Sequence, residues 1–428
     1  MRSMNFSGTS KKIAANTIYQ LIGKIVSLGI TVLATVIITR TYGREIYGQF
    51  SLMQAWPALF FVIVDFGINA IATREISKDW SKAGKYFGNI LLIRIIFSII
   101  LMLVLFVASR FFPYSQVLKT GITLSLLLIL TQALFTSTNI IFQARLRYDL
   151  STIGYLIGYA FILVIIFFLS RAKVDVMWIS FSYVIGGFIT FFVNYYFVRS
   201  LGVKPEFVLD KQLWGYLLSS SLPLGLMFVF SQINFKADAL LLSVLPVPAF
   251  LNVSNNEAVG LYALPYKIFE VALVMPTFFM NSLYPVMVLR MTEGKEKLKE
   301  TLKQSLKFLI VAALVFSAVG YVFSPLAINV LGGVEFEASI LVLRILLSGL
   351  VLYSVTQPLA WVIVTMGYQK YLPGIYLASG VFNLVMNFIF IPVYSFYMSA
   401  VITHFSELLI LILLIVTVRK IWRKTYAA

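Results

Sequence analysis

The sequence has no cysteine and a single histidine, His404. The first absence excludes disulfides and thiolate metal sites, and the second leaves no basis for a histidine-ligated metal or haem centre. No metal site is therefore expected. Charge is scarce as well: Asp, Glu, Lys and Arg make up 12% of the chain, where a soluble protein carries about 25%. Too few polar residues remain to wet a globular exterior. Period-2 alternation is also missing, which excludes a barrel and leaves α-helices as the only way to satisfy a backbone inside a bilayer.

What is present is apolar sequence in runs of spanning length. Hydrophobic residues make up 60% of the chain, and mean hydropathy is +0.92. A crossing needs roughly 20 apolar residues. Twelve such spans are expected, at residues 14–39, 47–73, 86–109, 120–142, 152–170, 176–198, 214–244, 258–288, 308–330, 338–365, 371–391 and 396–418. Arg2, Lys11 and Lys12 precede the first run, as they would in a signal peptide. No small-x-small cleavage site follows, so that run reads as span 1.

The net charge of +17 invites a nucleic-acid reading. Its distribution argues otherwise. With the N-terminus in the cytoplasm, cytoplasmic segments hold 23 Lys and Arg and external loops hold 6. That asymmetry follows the positive-inside rule and predicts that both ends are cytoplasmic. No nucleic-acid partner is expected; the basic loops suit anionic membrane lipids. Loops are short, and the longest, residues 289–307, reads as a solvated amphipathic helix. With no extramembrane domain to hold a soluble active site, an enzyme is not expected.

The chain also reads as duplicated. Tyr47-Gly48-Gln49-Phe50 opens span 2 and Val259-Gly260-Leu261-Tyr262 opens span 8, an offset of 212 residues. Tyr148 and Gly154 match Tyr368 and Gly374 at an offset of 220. Both pairs map a span to the sixth span after it. Six is even, so the halves share orientation and form a parallel repeat. The expected lobes are residues 1–205 and 206–428, with a site between them.

Polar groups at membrane depth are the functional candidates. Asn16, Gln20, Lys24, Ser27, Thr31 and Thr35 trace one face of span 1 at helical spacing. For the hydroxyls a helix–helix seam is the plainer reading; Lys24 is a cavity candidate. Span 2 carries Gln54, Asp65 and Asn69, and Asp65 could neutralise Lys24 or Arg94 of span 3. A structural ion pair and a substrate or proton site both stay open for it. Gln132, Thr136, Asn139 and Gln143 on span 4 read as packing.

In the second half, Ser231, Asn234 and Asp238 share a face of span 7 with Pro223, a proline that would kink the span and serve as a hinge. Lys236 lies two residues from Asp238, on another face, so the two cannot pair. Lys267 and Glu270 on span 8 are three residues apart and can. Tyr266, Glu270, Thr277 and Asn281 form that span's polar stripe. Arg344 on span 10 can snorkel, His404 on span 12 reads as a hydrogen-bonded bundle residue, and Glu407 completes the set. Asp65, Asp238, Glu270 and Glu407 are the candidates for binding a coupling proton or sodium ion; no other cofactor is expected.

Several segments carry a family resemblance. They are Tyr42-Gly43-Arg44-Glu45-Ile46-Tyr47-Gly48-Gln49-Phe50, Asp65-Phe66-Gly67 with Arg74-Glu75, and Val259-Gly260-Leu261-Tyr262 with Tyr266-Lys267. Pro285, Asn383, Asn387 and Ile391-Pro392 follow. In order and spacing the chain resembles the polysaccharide flippases, the O-antigen and teichoic-acid exporters of the multidrug/oligosaccharidyl-lipid/polysaccharide superfamily. The resemblance implies two six-helix lobes around a cleft lined by spans 1, 2, 7 and 8. It also implies alternating access that carries a polyprenyl-linked saccharide outward across the cytoplasmic membrane, alongside other polysaccharide-assembly proteins. One departure is Phe396-Tyr397-Met398-Ser399-Ala400, where family members often have Gly-Ala-Ala, so the packing of span 12 is expected to differ.

The physical task agrees with the residues. A pyrophosphate head cannot cross hydrocarbon alone, and Lys24, Arg94, Lys236 or Lys267 could serve as point-charge ligands for it. Trp56, Tyr262 and Tyr266 could stack on sugars. The other readings are a cation-coupled drug or small-solute exporter of the same superfamily and a membrane enzyme such as a polysaccharide polymerase or acyltransferase. The polymerase would want a large basic external loop, which the second half lacks.

Overall fold

In a computed structural model the described residues, 6–426, form helices and short connections, without the side chains of residues 6–18, 20–22 and 281. Asn16, Gln20 and Asn281 of the polar stripes thus lie outside the described residues. Ten helical stretches among those described are long and apolar enough to cross a bilayer. Two of them double back.

The first is α1 (Phe6–Asp65), whose 60 residues would reach about 90 Å if straight, three times a ~30 Å hydrocarbon core. It breaks at Gly43, where φ is 74° and ψ −178°, a conformation that glycine alone enters freely. The reversal shows in the contacts. Thr152 donates to the Tyr19 carbonyl at 3.2 Å, and Thr73 donates to Gln143 at 3.2 Å, so positions 19 and 73 return to the same short stretch. The second reversal lies in α13 (Leu372–Tyr426). Ser379 donates to the Ser406 carbonyl at 2.9 Å, and Lys424 sits over the Tyr368 ring, which places the turn at Ser395 (φ 50°) just beyond Pro392. The ten stretches therefore make the twelve expected crossings, and the protein is a multi-pass helical membrane protein.

Span 2 differs from its expected continuous form. Phe66 (φ 41°) and Gly67 (φ 71°) interrupt it, and α2 (Ile68–Lys78) resumes beyond them. Two successive left-handed residues cannot propagate a right-handed helix. Then follow α3 (Ala83–Arg110), α4 (Gln116–Ser125), α5 (Leu127–Arg145), α6 (Tyr148–Arg171), α7 (Val176–Ser200) and α8 (Lys211–Val244). Ser254 and Glu257 form a reciprocal capping box that starts α9 (Asn255–Glu293). Next, α10 (Lys295–Leu331) joins the expected amphipathic segment to span 9 as one 37-residue helix, so that segment is not separate. Leu298 on its inner face is fully buried. α11 (Ser339–Ser348) and α12 (Leu350–Thr365) precede α13.

The described chain packs into two compact units. One comprises Met1–Thr41 and Leu52–Gly225, the other Tyr42–Ser51 and Leu226–Ala428. In the first, Ile68, Phe87, Ile90, Ile141 and Leu217 pack together. Lipid is as apolar as leucine, so close fit rather than water exclusion holds such helices together. The α6–α7 pair shows this: a Cβ on Gly154 would lie 1.8 Å from Asn194 Oδ1, and one on Gly158 1.9 Å from Thr190 Oγ1. Glycines four residues apart let the two backbones approach. Residues ahead of α8 strap onto α3, where Asn89 Oδ1 accepts from the Asp210 backbone and from Trp214 Nε1. Asp210 caps α8, accepting from the Leu213 backbone at 2.9 Å, and pairs with Lys85 at 2.6 Å. Lys85 first, then that backbone N–H, hold its carboxyl below the usual range. In the second unit Met280, Leu309, Val362, Ile375 and Leu414 form the core.

Candidate functional site

Each unit carries its own polar assembly. In the first, Arg94 of α3 has a fully buried side chain. Its guanidinium donates to Asp65 at 2.6 Å, to Asn69 at 2.9 Å and to Ser137 at 3.0 Å. The helix break at Phe66-Gly67 lets Asp65 and Asn69, on either side of it, converge on one cation. Asp65 keeps 23% of its side chain exposed. Of the two partners that the sequence left open for Asp65, the structure forms the pair with Arg94. Lys24 is exposed on α1.

The hydroxyls of the span 1 stripe are satisfied within their own helix. Ser27 donates to the Lys24 carbonyl, Thr31 to Ser27 and Thr35 to Thr31, at 2.8–2.9 Å. Gln54 reaches Ser180 at 2.8 Å. On α5, Gln143 meets Thr73, and Asn139 accepts from Ser151 at 2.6 Å. These link helices inside the unit.

In the second unit the side chains of α8 divide as the spacing requires. Lys236 turns to Glu270 of α9, and Asp238 turns the other way into the core. Glu270 also meets Lys267 at 3.7 Å, so two ammonium groups share one carboxylate. All three side chains are part-exposed, Lys236 by 26%, Glu270 by 30% and Lys267 by 47%. Lys236 Nζ lies 5.7 Å from the centre of the Tyr266 ring, a favourable place for a cation. The two ammonium groups and one carboxylate sum to one positive charge, and each side chain stays part-exposed.

Asp238 has 1% of its surface exposed. Its carboxylate accepts from Tyr262 Oη at 2.6 Å, Asn387 Nδ2 at 2.9 Å and Thr403 Oγ1 at 3.3 Å. No salt bridge reaches it among the described residues. The network continues from Asn387 to Asn383, from Asn383 to Ser406, and through Ser379 to Asn234 Oδ1. It joins α8 to both arms of α13. A carboxylate buried this way is held by neutral donors alone, which suits a group that exchanges a cation or a proton.

Glu407, 6% exposed, accepts from Thr356 of α12. Arg344 donates to Ser324 of α10 at 2.9 Å and covers the Tyr321 ring. His404 contacts the Ala400 carbonyl at 2.9 Å and Ser348 at 3.2 Å, as a bundle residue would. Pro223 lies inside α8, two residues before the point where the chain passes from the first unit to the second.

Sequence reasoning missed the shell around Asp238: Tyr262 was read only as a ring to stack on sugars, Asn383 and Asn387 only as carriers of the resemblance, and Thr403 not at all. A signal existed, since Asn383 and Asn387, and Thr403 and Glu407, are each four residues apart on helical faces. Among the described residues no three histidine or acidic side chains gather as metal ligands.

A family model described as Polysaccharide biosynthesis protein matches residues 13–291. Comparison with curated proteins finds no match. Among solved structures, the inward-facing conformation of a multidrug resistance MATE family transporter of the MOP superfamily is 15% identical. It aligns with a TM-score of 0.70 over 96% of each chain. A MOP superfamily transporter from Pyrococcus furiosus, whose binding pocket has reversed polarity, is 14% identical, with a TM-score of 0.67 over 96% of each chain. A Vibrio cholerae MATE transporter is 16% identical, with a TM-score of 0.68 over 97% of this chain and 99% of that one. At such identities the likeness bears on the fold.

Proposed function

The chain belongs to the polysaccharide biosynthesis protein family, and on that premise we propose that it is a flippase for a polyprenyl-pyrophosphate-linked oligosaccharide. It moves this cargo outward across the cytoplasmic membrane by alternating access, for cell-surface polysaccharide assembly. No bond is made or broken. The MOP-type transporter fold supports the reading, and the observation that carries it is the Lys236–Glu270–Lys267 assembly: two lysines at membrane depth, part-exposed and half-neutralised.

In this mechanism the lipid tail stays in the bilayer while Lys236 and Lys267 take the diphosphate as point charges. Tyr266 offers a ring beside them; Lys24 and Asn69 in the first unit, and Asn234 and Arg344 in the second, are the further polar candidates. Arg94 acts by holding Asp65. Asp238 is the first candidate for the coupling proton or sodium ion, with Glu407, Asp65 and Glu270 after it. The lobes are residues 1–205 and 206–428, both termini face the cytoplasm, and α8 flexes at Pro223. That hinge is supported by the change of compact unit at Gly225. Other polysaccharide-assembly membrane proteins are the expected partners.

The test is complementation of a flippase-deficient strain with Lys236→Gln/Lys267→Gln. Loss of surface polysaccharide at unchanged protein level is expected; wild-type glycan from the double variant sinks the proposal. The multidrug MATE fold favours a second reading, a cation-coupled exporter of drugs or small solutes. Sodium- or proton-driven drug efflux from vesicles, with surface glycan unaffected by deletion, would favour it instead.

A further inference from the structure

Glu270 is placed where a cargo anion would sit. Its two carboxylate oxygens are taken by two different lysines, Lys236 from α8 and Lys267 from one turn earlier on α9. Lys236 is also held from the side by the Tyr266 ring, at 5.7 Å. Part of all three side chains is exposed, so the carboxylate can be exchanged for an anion from outside. Asp238 cannot be exchanged in this way, being buried to 1%.

Resting on the flippase reading, we infer that Glu270 is a specificity-determining residue: an internal anion that only a diphosphate, with two or more charges, displaces. The pair of lysines alone would attract any phosphate ester. Bilayer phospholipids such as phosphatidylglycerol are monoanionic phosphodiesters, present in vast excess over any cargo lipid. Against a monoanion, a tethered carboxylate of equal charge keeps its place, since it is already positioned. A diphosphate brings a second charge and enough oxygens to engage both ammonium groups, and the glutamate side chain swings aside. The discrimination is a difference of two affinities, created by a built-in competitor.

The experiment measures binding of farnesyl diphosphate to the full chain in detergent, with phosphatidylglycerol as competitor. In wild-type protein phosphatidylglycerol competes weakly. In Glu270→Gln it competes at least tenfold better, and farnesyl diphosphate itself binds more tightly. Glu270→Met, similar in length and uncharged, serves where E270Q does not fold. Lys236→Gln and Lys267→Gln weaken diphosphate binding in either background. Unchanged phosphatidylglycerol competition in the Glu270 variants, with binding still lost in the lysine variants, overturns the inference and leaves the flippase reading standing. Diphosphate binding that none of the lysine changes affects removes the site itself, and both readings with it.

Discussion

Gly48 and Gly260 meet with no space for a side chain at either. A Cβ on Gly48 would lie 1.8 Å from the Asn256 carbonyl oxygen, and one on Gly260 would lie 2.2 Å from that of Arg44. The contact is reciprocal: Gly260 follows Gly48 by 212 residues, and Asn256 follows Arg44 by the same interval. Residue i touching j while the counterpart of j touches that of i is what a local two-fold axis produces. Arg44 extends the contact by pairing with Glu257 at 2.8 Å, and its backbone N–H donates to Glu335 at 3.3 Å. All these residues lie in the second compact unit.

That geometry predicts a steep size limit. Gly48→Val and Gly260→Val should lower the melting temperature in detergent and the yield of monodisperse protein. The backbones cannot separate without losing neighbouring contacts, which puts the cost at several kcal/mol, on the order of severe overpacking. Gly29→Ala is the control: nothing lies within 4 Å of a Cβ there, so a small gain in helix stability is expected. Equal melting temperatures for Gly48→Val and wild type would contradict the contact.

Arg94 and Asp65 should respond unequally to removal of their partners. Arg94 is fully buried, whereas Asp65 keeps 23% exposure and can turn to water. Asp65→Leu leaves a buried cation, a change that costs about 3–5 kcal/mol. Arg94→Met should cost less, and the double variant should recover much of the loss. Thermal unfolding of the three variants checks this, and no recovery in the double variant would count against a buried pair.

Asp238 separates coupling from folding. In Asp238→Asn the side-chain shape is kept and the Asn387 amide can rotate to present its oxygen, which has no hydrogen-bond partner as it stands. Protein level should hold while transport driven by a proton or sodium gradient disappears in vesicles. Asp238→Leu takes the acceptor from Tyr262 Oη and from one Asn387 N–H and should lower protein level itself. Gradient-driven transport at the wild-type rate in Asp238→Asn would exclude the coupling role.

The strap ahead of α8 should loosen in acid. Lys85 and the Leu213 N–H hold Asp210 below the usual carboxylate range, which lies near ~4. A depressed folded-state value means that the stabilisation is complete above the unfolded value and is lost as pH falls through the folded one. Hydrogen exchange over residues 201–214 should accelerate as pH drops below about 4, after correction for intrinsic rates. Asp210→Ala should exchange fast at every pH and lose that dependence. A pH-dependent wild-type profile retained in the variant would assign the effect elsewhere.

Much of the architecture was legible in the residues, for a definite reason. A bilayer leaves helices as the only structure for apolar runs without period-2 alternation, so span number and helical class follow from composition and length. The Lys267–Glu270 pair was legible too, because three residues on a helix set the neighbour. So was the separation of Lys236 from Asp238. The α6 glycines, Gly154 and Gly158, carried a packing signal at a four-residue interval that reasoning from polar stripes passed over.

Partners across helices were a different matter. Helical periodicity tells which residues share a face, but not which other face meets it. That Asp65 took Arg94, that Lys236 took Glu270, and that Asp238 drew donors from α9 and from both arms of α13 depends on how helices far apart in sequence are laid together. The same holds for Gly48 and Gly260: the repeat marked them as equivalent, and only the packing brought their backbones into contact. Local spacing and the solvent's demand on the backbone are written in the chain. Tertiary packing alone chose the charge partners, because many pairings satisfy the same pattern and close fit selects one.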